Sequence, residues 1–242
     1  FRDGLIKYKT DYQLLSGRPD TALIGVVVMT GTMKVCLKRI GVPLKHTAHL
    51  NAGDDHTLFV KKEHLGLVLD RLQGEFGKVG MELKVEGDPA PLAVLEKVEF
   101  CQHHPVLVEG EYRMVRDYKK VIAKTLSSYR WYRDTETVKT YLGTVGVAEG
   151  ILNRGVPILQ AYAEWMRTQG TVRLHTVEGE WKYRNLNMDK DEFRSMDISF
   201  ETRESFERAF GVSPVDQVLL EQNAATLGNV PVFRDTRHTP LA

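Results

Sequence analysis

The stretch His46 to Val60, HTAHLNAGDDHTLFV, decides how this chain is read. His46–Leu50 and Thr57–Val60 are short runs of strand-forming residues, and Asn51-Ala52-Gly53-Asp54-Asp55 between them has turn composition. The expected structure is a β-hairpin with two adjacent carboxylates, Asp54 and Asp55, at its tip. Carboxylate oxygens suit hard divalent cations such as Mg²⁺ or Mn²⁺. A pair of such ions can activate a hydroxyl and steady a departing pyrophosphate. Gly-Asp-Asp is also ordinary turn chemistry, so its neighbours must decide.

Upstream, Leu15 to Thr21 reads as a Ser-Gly loop expected to open an apolar helix over Asp20–Arg39, ending at Gly41 before Pro43. Downstream, Glu63–Phe76 carries apolar residues at helical spacing. Met81–Val85 reads as a strand carrying Lys84. Val94–Gln102 and Glu111–Val115 read as strands joined by a loop over His103–Gly110. Beyond Arg116 helical patterns dominate, at Lys119–Trp131, Thr137–Asn153 and Pro157–Thr168. Thr202 is the expected cap of a helix that stops at Gly211, and Ser213 of one that starts with Pro214. An extended tail is expected from about Asn223. The fold class is α+β, with a mixed front half and a mainly helical back half.

Composition is that of a globular protein, 42% apolar and 27% charged. Lys plus Arg number 33 and Asp plus Glu 32, so any polyanion site must be local. One such stretch runs from Glu111 to Lys139, with eight basic residues against four acidic ones, a balance of +4. Its Arg113, Arg116, Lys119, Lys120 and Lys124 are interleaved with Tyr and Trp, a pattern able to bind RNA phosphates and stack on bases. Two cysteines, Cys36 and Cys101, exclude a disulfide scaffold. The strongly apolar run Ala22–Met29 is too short for a bilayer, so no membrane anchor is expected within the chain. His46, His49 and His56 flank the turn, but no cysteine or third ligand stands at zinc-site spacing, and zinc is not expected there.

In this order the elements resemble the RNA-dependent RNA polymerases of positive-strand RNA viruses, in particular the tombusvirus-like group (carmovirus and tombusvirus, with noda-like features in SGRPDT). The Ser-Gly loop, the Asn-x-Gly-Asp-Asp hairpin, the Lys segment and Val98-Glu99-Phe100-Cys101-Gln102 with Pro105-Val106 follow the order of that family's palm motifs. The resemblance implies a partial right-hand polymerase: palm over residues 1–116 and helical thumb over 117–242. It implies Asp54 as principal ligand of two Mg²⁺ or Mn²⁺ ions, with Asp55 beside it. Ser16, Gly17, Asp20 and Thr21 would contact the entering nucleotide. Lys84 would protonate pyrophosphate, and Cys101 and Gln102 would support the 3′ end of the product.

Two departures from the family pattern stand out. An Asn nine residues after the motif's Ser is replaced by Gly25. The family's upstream Asp-x-x-x-x-Asp strand has no counterpart before Ser16, where only Asp3 and Asp11 occur. The chain is therefore expected to be part of a longer polypeptide, or to receive the missing fingers and palm half in cis or in trans. The implied partners are RNA template and product and nucleoside triphosphates. The implied location is the host cytoplasm, at membrane-associated replication complexes reached through other regions. The alternative reading is a catalytically incomplete segment that binds RNA or a replication partner. A metal-dependent phosphohydrolase, the third, leaves the Val98–Val106 element unexplained.

Overall fold

The computed structural model describes residues 20–85, 94–125, 135–173 and 194–226. The chain forms two compact units, residues 1–89 and 90–242.

Among its described residues, the first unit is built on two helices. Helix α1 (Thr21–Arg39) carries Lys38 and Arg39 in its last turn, where cations offset the exposed carbonyls. Helix α2 (Lys62–Lys78) buries Val68, Leu72 and Phe76, spaced four apart so that they share one face. They close on Met33, Cys36 and Leu37 of α1, with Ile40 and Val42, to form the core. Strands β1 (Thr47–Asn51) and β2 (His56–Val60) make the expected antiparallel hairpin, in register from Thr47↔Val60 to Asn51↔His56. Leu58 and Val60 pack onto the same core.

Two expectations change here. Met81–Val85 keeps its alternation, with Met81 and Leu83 against the core and Lys84 exposed, but it joins no sheet. Alternation reports a half-buried extended segment, and a strand also needs a partner. Secondly, α1 as a whole is long and apolar enough to cross a membrane by length and composition, which the run Ala22–Met29 alone is not. Its second half is committed to the core, while Leu23, Val27 and Val28 in its first half are exposed.

The second unit begins with a hairpin displaced from the expected one. Leu95–Lys97 is a short 3₁₀ turn, and the strands are β3 (His103–Val108) and β4 (Glu111–Arg116), paired from His103↔Arg116 to Val108↔Glu111. The His103–Gly110 segment is thus strand and tight turn rather than loop, because Glu109 and Gly110 both take the left-handed conformation of a two-residue hairpin (φ 53° and 80°). His103 and His104 lie in β3 and are half-buried.

Among the described residues, five helices follow: α3 (Tyr118–Thr125), α4 (Thr135–Leu152), α5 (Leu159–Thr168), α6 (Phe200–Phe210) and α7 (Pro214–Thr226). Ser199, not Thr202, caps α6: its hydroxyl accepts the Thr202 N–H. Ser213 caps α7 as expected, accepting from Asp216 N–H at 3.2 Å. Helix α7 continues past Asn223 to Thr226. The end of the expected Lys119–Trp131 helix lies outside the described residues, as does the tail after 226. Val106, Val108 and Val115 of the hairpin share a core with Val121, Ile158, Leu159 and Phe206. The hairpin therefore packs with the helices, and compactness changes ahead of the change in texture at Arg116.

An ion pair with a buried carboxylate and a half-exposed arginine holds this arrangement. Glu96 is only 3% exposed. Its Oε1 accepts from Ser205 Oγ at 2.9 Å and from Arg208 Nε at 2.9 Å. Ser205 Oγ in turn accepts the Leu107 N–H at 2.8 Å, and His104 Nδ1 donates to the Glu96 carbonyl at 2.9 Å. Glu96 thus holds α6 through its carboxylate and β3 through its carbonyl, with the Ser205 hydroxyl bridging from the carboxylate to Leu107. Burial pushes the Glu96 carboxyl up, but the hydrogen bonds from Arg208, the backbone and Ser205 together hold it below its ordinary value.

Helices α4 and α5 meet backbone to backbone. A Cβ on Gly146 would lie 2.4 Å from Arg167 N and 2.8 Å from the Ala163 carbonyl, distances no real Cβ tolerates. Gly146→Ala should therefore lower stability by ~2 kcal/mol in urea unfolding, overpacking outweighing its better helix propensity. Gly31→Ala on α1, where a Cβ meets nothing within 4 Å, should raise stability instead.

Arg208→Ala leaves the buried Glu96 charge with Ser205 alone and, solvent screening of the half-exposed arginine taken into account, should cost about 1–2 kcal/mol. Because the folded carboxyl titrates below the unfolded one, its stabilisation is complete above about pH 4.3 and is lost as pH falls through the lowered value. The urea midpoint of the wild type should fall more steeply below pH 5 than that of Glu96→Gln.

Candidate active site

The turn at the tip of β1–β2 is fixed by Asn51. Its Oδ1 accepts the Gly53 N–H at 2.7 Å, closing a local side-chain turn. Its Nδ2 donates to the Val26 carbonyl at 3.2 Å and to Thr30 Oγ1 at 2.8 Å, both on α1. The Ala52 N–H donates to the Asp55 carbonyl at 2.9 Å. Gly53 takes a φ of +97°, a conformation that penalises a side chain. One carboxamide therefore sets both the shape of the turn and its position on the helix.

Asp54 and Asp55 are exposed on this turn. Their carboxylates have the hard-oxygen chemistry that Mg²⁺ or Mn²⁺ requires, and they fit one side of a two-cation site. Among the described residues, no third carboxylate, histidine or cysteine converges with them. Gly25 faces the turn: a Cβ there would lie 3.5 Å from the Gly53 Cα, an ordinary contact. The position where the polymerase pattern has Asn thus sits on the α1 surface nearest the turn.

Asp20 and Thr21 stand at the start of α1, half-buried. Asp20 makes no capping hydrogen bond through its side chain, and its carbonyl accepts the Ile24 N–H at 2.9 Å. Ser16 and Gly17 lie outside the described residues. Lys84 is exposed in the extended segment after α2.

In the second unit, Cys101 and Gln102 form a tight turn just before β3. Phe100 and His103 exchange both backbone hydrogen bonds at 3.0 Å, and Cys101 and Gln102 have φ values of 52° and 61°. Two non-glycine residues in the left-handed region cost ~1 kcal/mol or more each. Arg113 is engaged within the chain, donating to the Arg154 carbonyl at 3.0 Å and to Glu109 Oε2 at 3.1 Å. Arg116 ends β4 opposite His103. Lys119, Lys120 and Lys124 are exposed on α3, whose first turn is capped by Asp117 Oδ1 accepting from the Lys119 and Lys120 N–H groups.

Sequence reasoning missed Asn51 as the residue that places the turn. An Asn two residues before a Gly is the local signal for such a turn, but its reach to α1 has none. It also passed over Glu96, whose partners lie more than a hundred positions away. Another feature without a sequence signal is the unpartnered burial of His49 Nδ1 and both ring nitrogens of His56 on the hairpin.

Residues 1–229 match the family described as viral RNA dependent RNA polymerase. The RNA-directed RNA polymerase of groundnut rosette virus (strain MC1) is 30% identical over 234 residues, covering 94% of this chain and 26% of that protein. That of tobacco necrosis virus (strain D) is 30% identical, covering 93% of this chain and 31% of that protein. That of pothos latent virus (isolate Pigeonpea/India) is 30% identical, with 99% and 31% covered. The chain thus spans about a quarter to a third of these relatives' length. No solved structure matches it. The Gly-Asp-Asp hairpin locked to the helix behind it stands in a sequence that matches one family along nearly its whole length, and the chain belongs to the viral RNA-dependent RNA polymerases.

Proposed function

We propose that this chain supplies the carboxy-terminal palm and the thumb of a template-directed RNA polymerase, which joins a nucleotide to an RNA 3′ end and releases pyrophosphate. The observation that carries the reading is the exposed Asp54–Asp55 pair on a turn held to α1 by Asn51. In this reading the palm comprises the elements up to Arg116 and the thumb those from residue 117, with β3–β4 docked on the thumb helices.

The 3′-hydroxyl gives its proton to water as its oxygen attacks the α-phosphorus of the incoming triphosphate, the bond to the bridging oxygen breaks, and pyrophosphate departs. Two divalent cations, Mg²⁺ or Mn²⁺, would supply charge neutralisation of the reacting oxygens. Asp54 is the residue of this chain that would hold them, with Asp55 as a weaker or indirect ligand, and the remaining ligands would come from an upstream palm strand. Lys84 gives its proton to the departing pyrophosphate. Asp20 and Thr21, with Ser16 and Gly17, line the nucleotide, and Gly25 leaves space where the family pattern carries a carboxamide. Cys101 and Gln102 support the product 3′ end. Arg116, Lys119, Lys120 and Lys124 track phosphates, and Arg113 braces the hairpin that presents them. The setting is a replication complex in the host cytoplasm, reached through regions outside this chain.

The test is primer extension by the complete polymerase. Asp54→Asn should lower turnover by at least ~10²-fold, as removal of one preorganised electrostatic stabiliser does. Turnover near that of the wild type would reject a metal-ligand role.

Lys84→Leu should slow the chemical step by roughly 10²–10⁴-fold with nucleotide affinity nearly unchanged. Single-turnover kinetics separate the two quantities. Weaker nucleotide binding with an unchanged chemical step would assign Lys84 to phosphate binding alone.

A further inference from the structure

At the opposite end of the β1–β2 hairpin from Asp54 and Asp55, three metal-type ligands converge. His46 ends the short helical turn Leu44–His46 that leads into β1. Its carbonyl accepts the Lys61 N–H at 3.1 Å, so the backbone at residues 46 and 61 is held by the ladder. Helix α2 begins at once, placing Glu63 and His64 in its first turn. The outcome is His46 Nδ1 2.8 Å from His64 Nε2, with Glu63 Oε1 3.4 Å from the first and 3.3 Å from the second. The two rings stack with centroids 5.1 Å apart.

We propose that His46, Glu63 and His64 bind one Zn²⁺ ion, which clips the base of the hairpin to the start of α2. Tetrahedral zinc with bonds of about 2.0–2.1 Å separates its ligand atoms by about 3.3 Å. The two Glu63 distances already meet that spacing, and the histidine pair opens by about half an ångström, a small rotation about the side-chain bonds. Two imidazoles and one carboxylate are the donors of a borderline cation, whereas Mg²⁺ prefers oxygen alone. Both histidine side chains are mostly buried and Glu63 is mostly exposed, which leaves a fourth position open to water. The strands put this site on the order of 15 Å from the Asp54–Asp55 turn. It is independent of the polymerase reading.

The test uses the full 242-residue chain, without a polyhistidine tag and stripped by a chelator. Zn²⁺ is titrated in competition with a chromophoric chelator, and Co²⁺ is added in parallel for its visible tetrahedral spectrum. One equivalent of Zn²⁺ should bind. His46→Ala and His64→Ala should each weaken binding by at least ~100-fold, and His49→Gln should not. Glu63→Gln alters an exposed side chain and should keep the metal-free circular dichroism while weakening zinc ~10-fold. Zinc should also raise the unfolding midpoint of the wild type, and at equal zinc should raise that of Glu63→Gln less. Zinc bound as tightly by Glu63→Gln as by the wild type would overturn the proposal. So would retention of the equivalent by a His46→Ala/His64→Ala double variant, or no binding at ~100 µM zinc.

Discussion

The Asn51 carboxamide is the constraint on which the first unit's chemistry depends. Its three hydrogen bonds join the turn backbone to the Val26 carbonyl and the Thr30 hydroxyl. A hairpin alone would leave the Asp54–Asp55 tip free to swing about the strand axis. Anchoring it to a helix, whose other half is buried against α2, carries the rigidity of an apolar core out to two exposed carboxylates. Preorganisation of this kind is what a cation site built on a pair of turn aspartates requires.

In the second unit the same task falls to Glu96. A carboxylate almost out of solvent is stable there because Arg208 and Ser205 surround it. Around it the apolar faces of β3, α3 and α6 close into one core. The α4–α5 crossing solves a different problem: two helices approach until backbones touch, which requires the absence of side chains at Gly146, and Gly143 and Gly170 show the same crowding. Polar buttress and bare crossing together fix a helical body onto which a two-stranded hairpin can dock.

Much of this was legible from residues alone. The α1 boundaries, the first hairpin and its tip, α2, and the Ser213-Pro214 start of α7 follow from turn composition, spacing and caps, which are local signals. The second hairpin was misplaced because Val94–Gln102 has strand composition, whereas the ladder position is decided by which valines reach the α6 core. Thr202 reads as a cap in the sequence because Ser199 sits among residues without helical periodicity, yet Ser199 makes the capping hydrogen bond. Met81–Val85 shows the limit of alternation, which records burial and not pairing. The His46–Glu63–His64 cluster stayed hidden because its members are spaced by the hairpin length and belong to no motif. The roles of single residues came from family resemblance and not from spacing.

Helix α1 is divided lengthwise. Its second half is sealed into the core, while the first half, which provides both acceptors for Asn51, has Leu23, Val27 and Val28 exposed. Local opening of a helix starts where few contacts resist it. Once the turn around Val26 opens, the carbonyl and the hydroxyl that receive the Asn51 amide are displaced together. Amide-proton exchange along residues 25–30 therefore reports the upper limit on how well ordered the Asp54–Asp55 carboxylates can be. Positional precision at the tip is borrowed from a stretch of helix with few buried apolar side chains of its own.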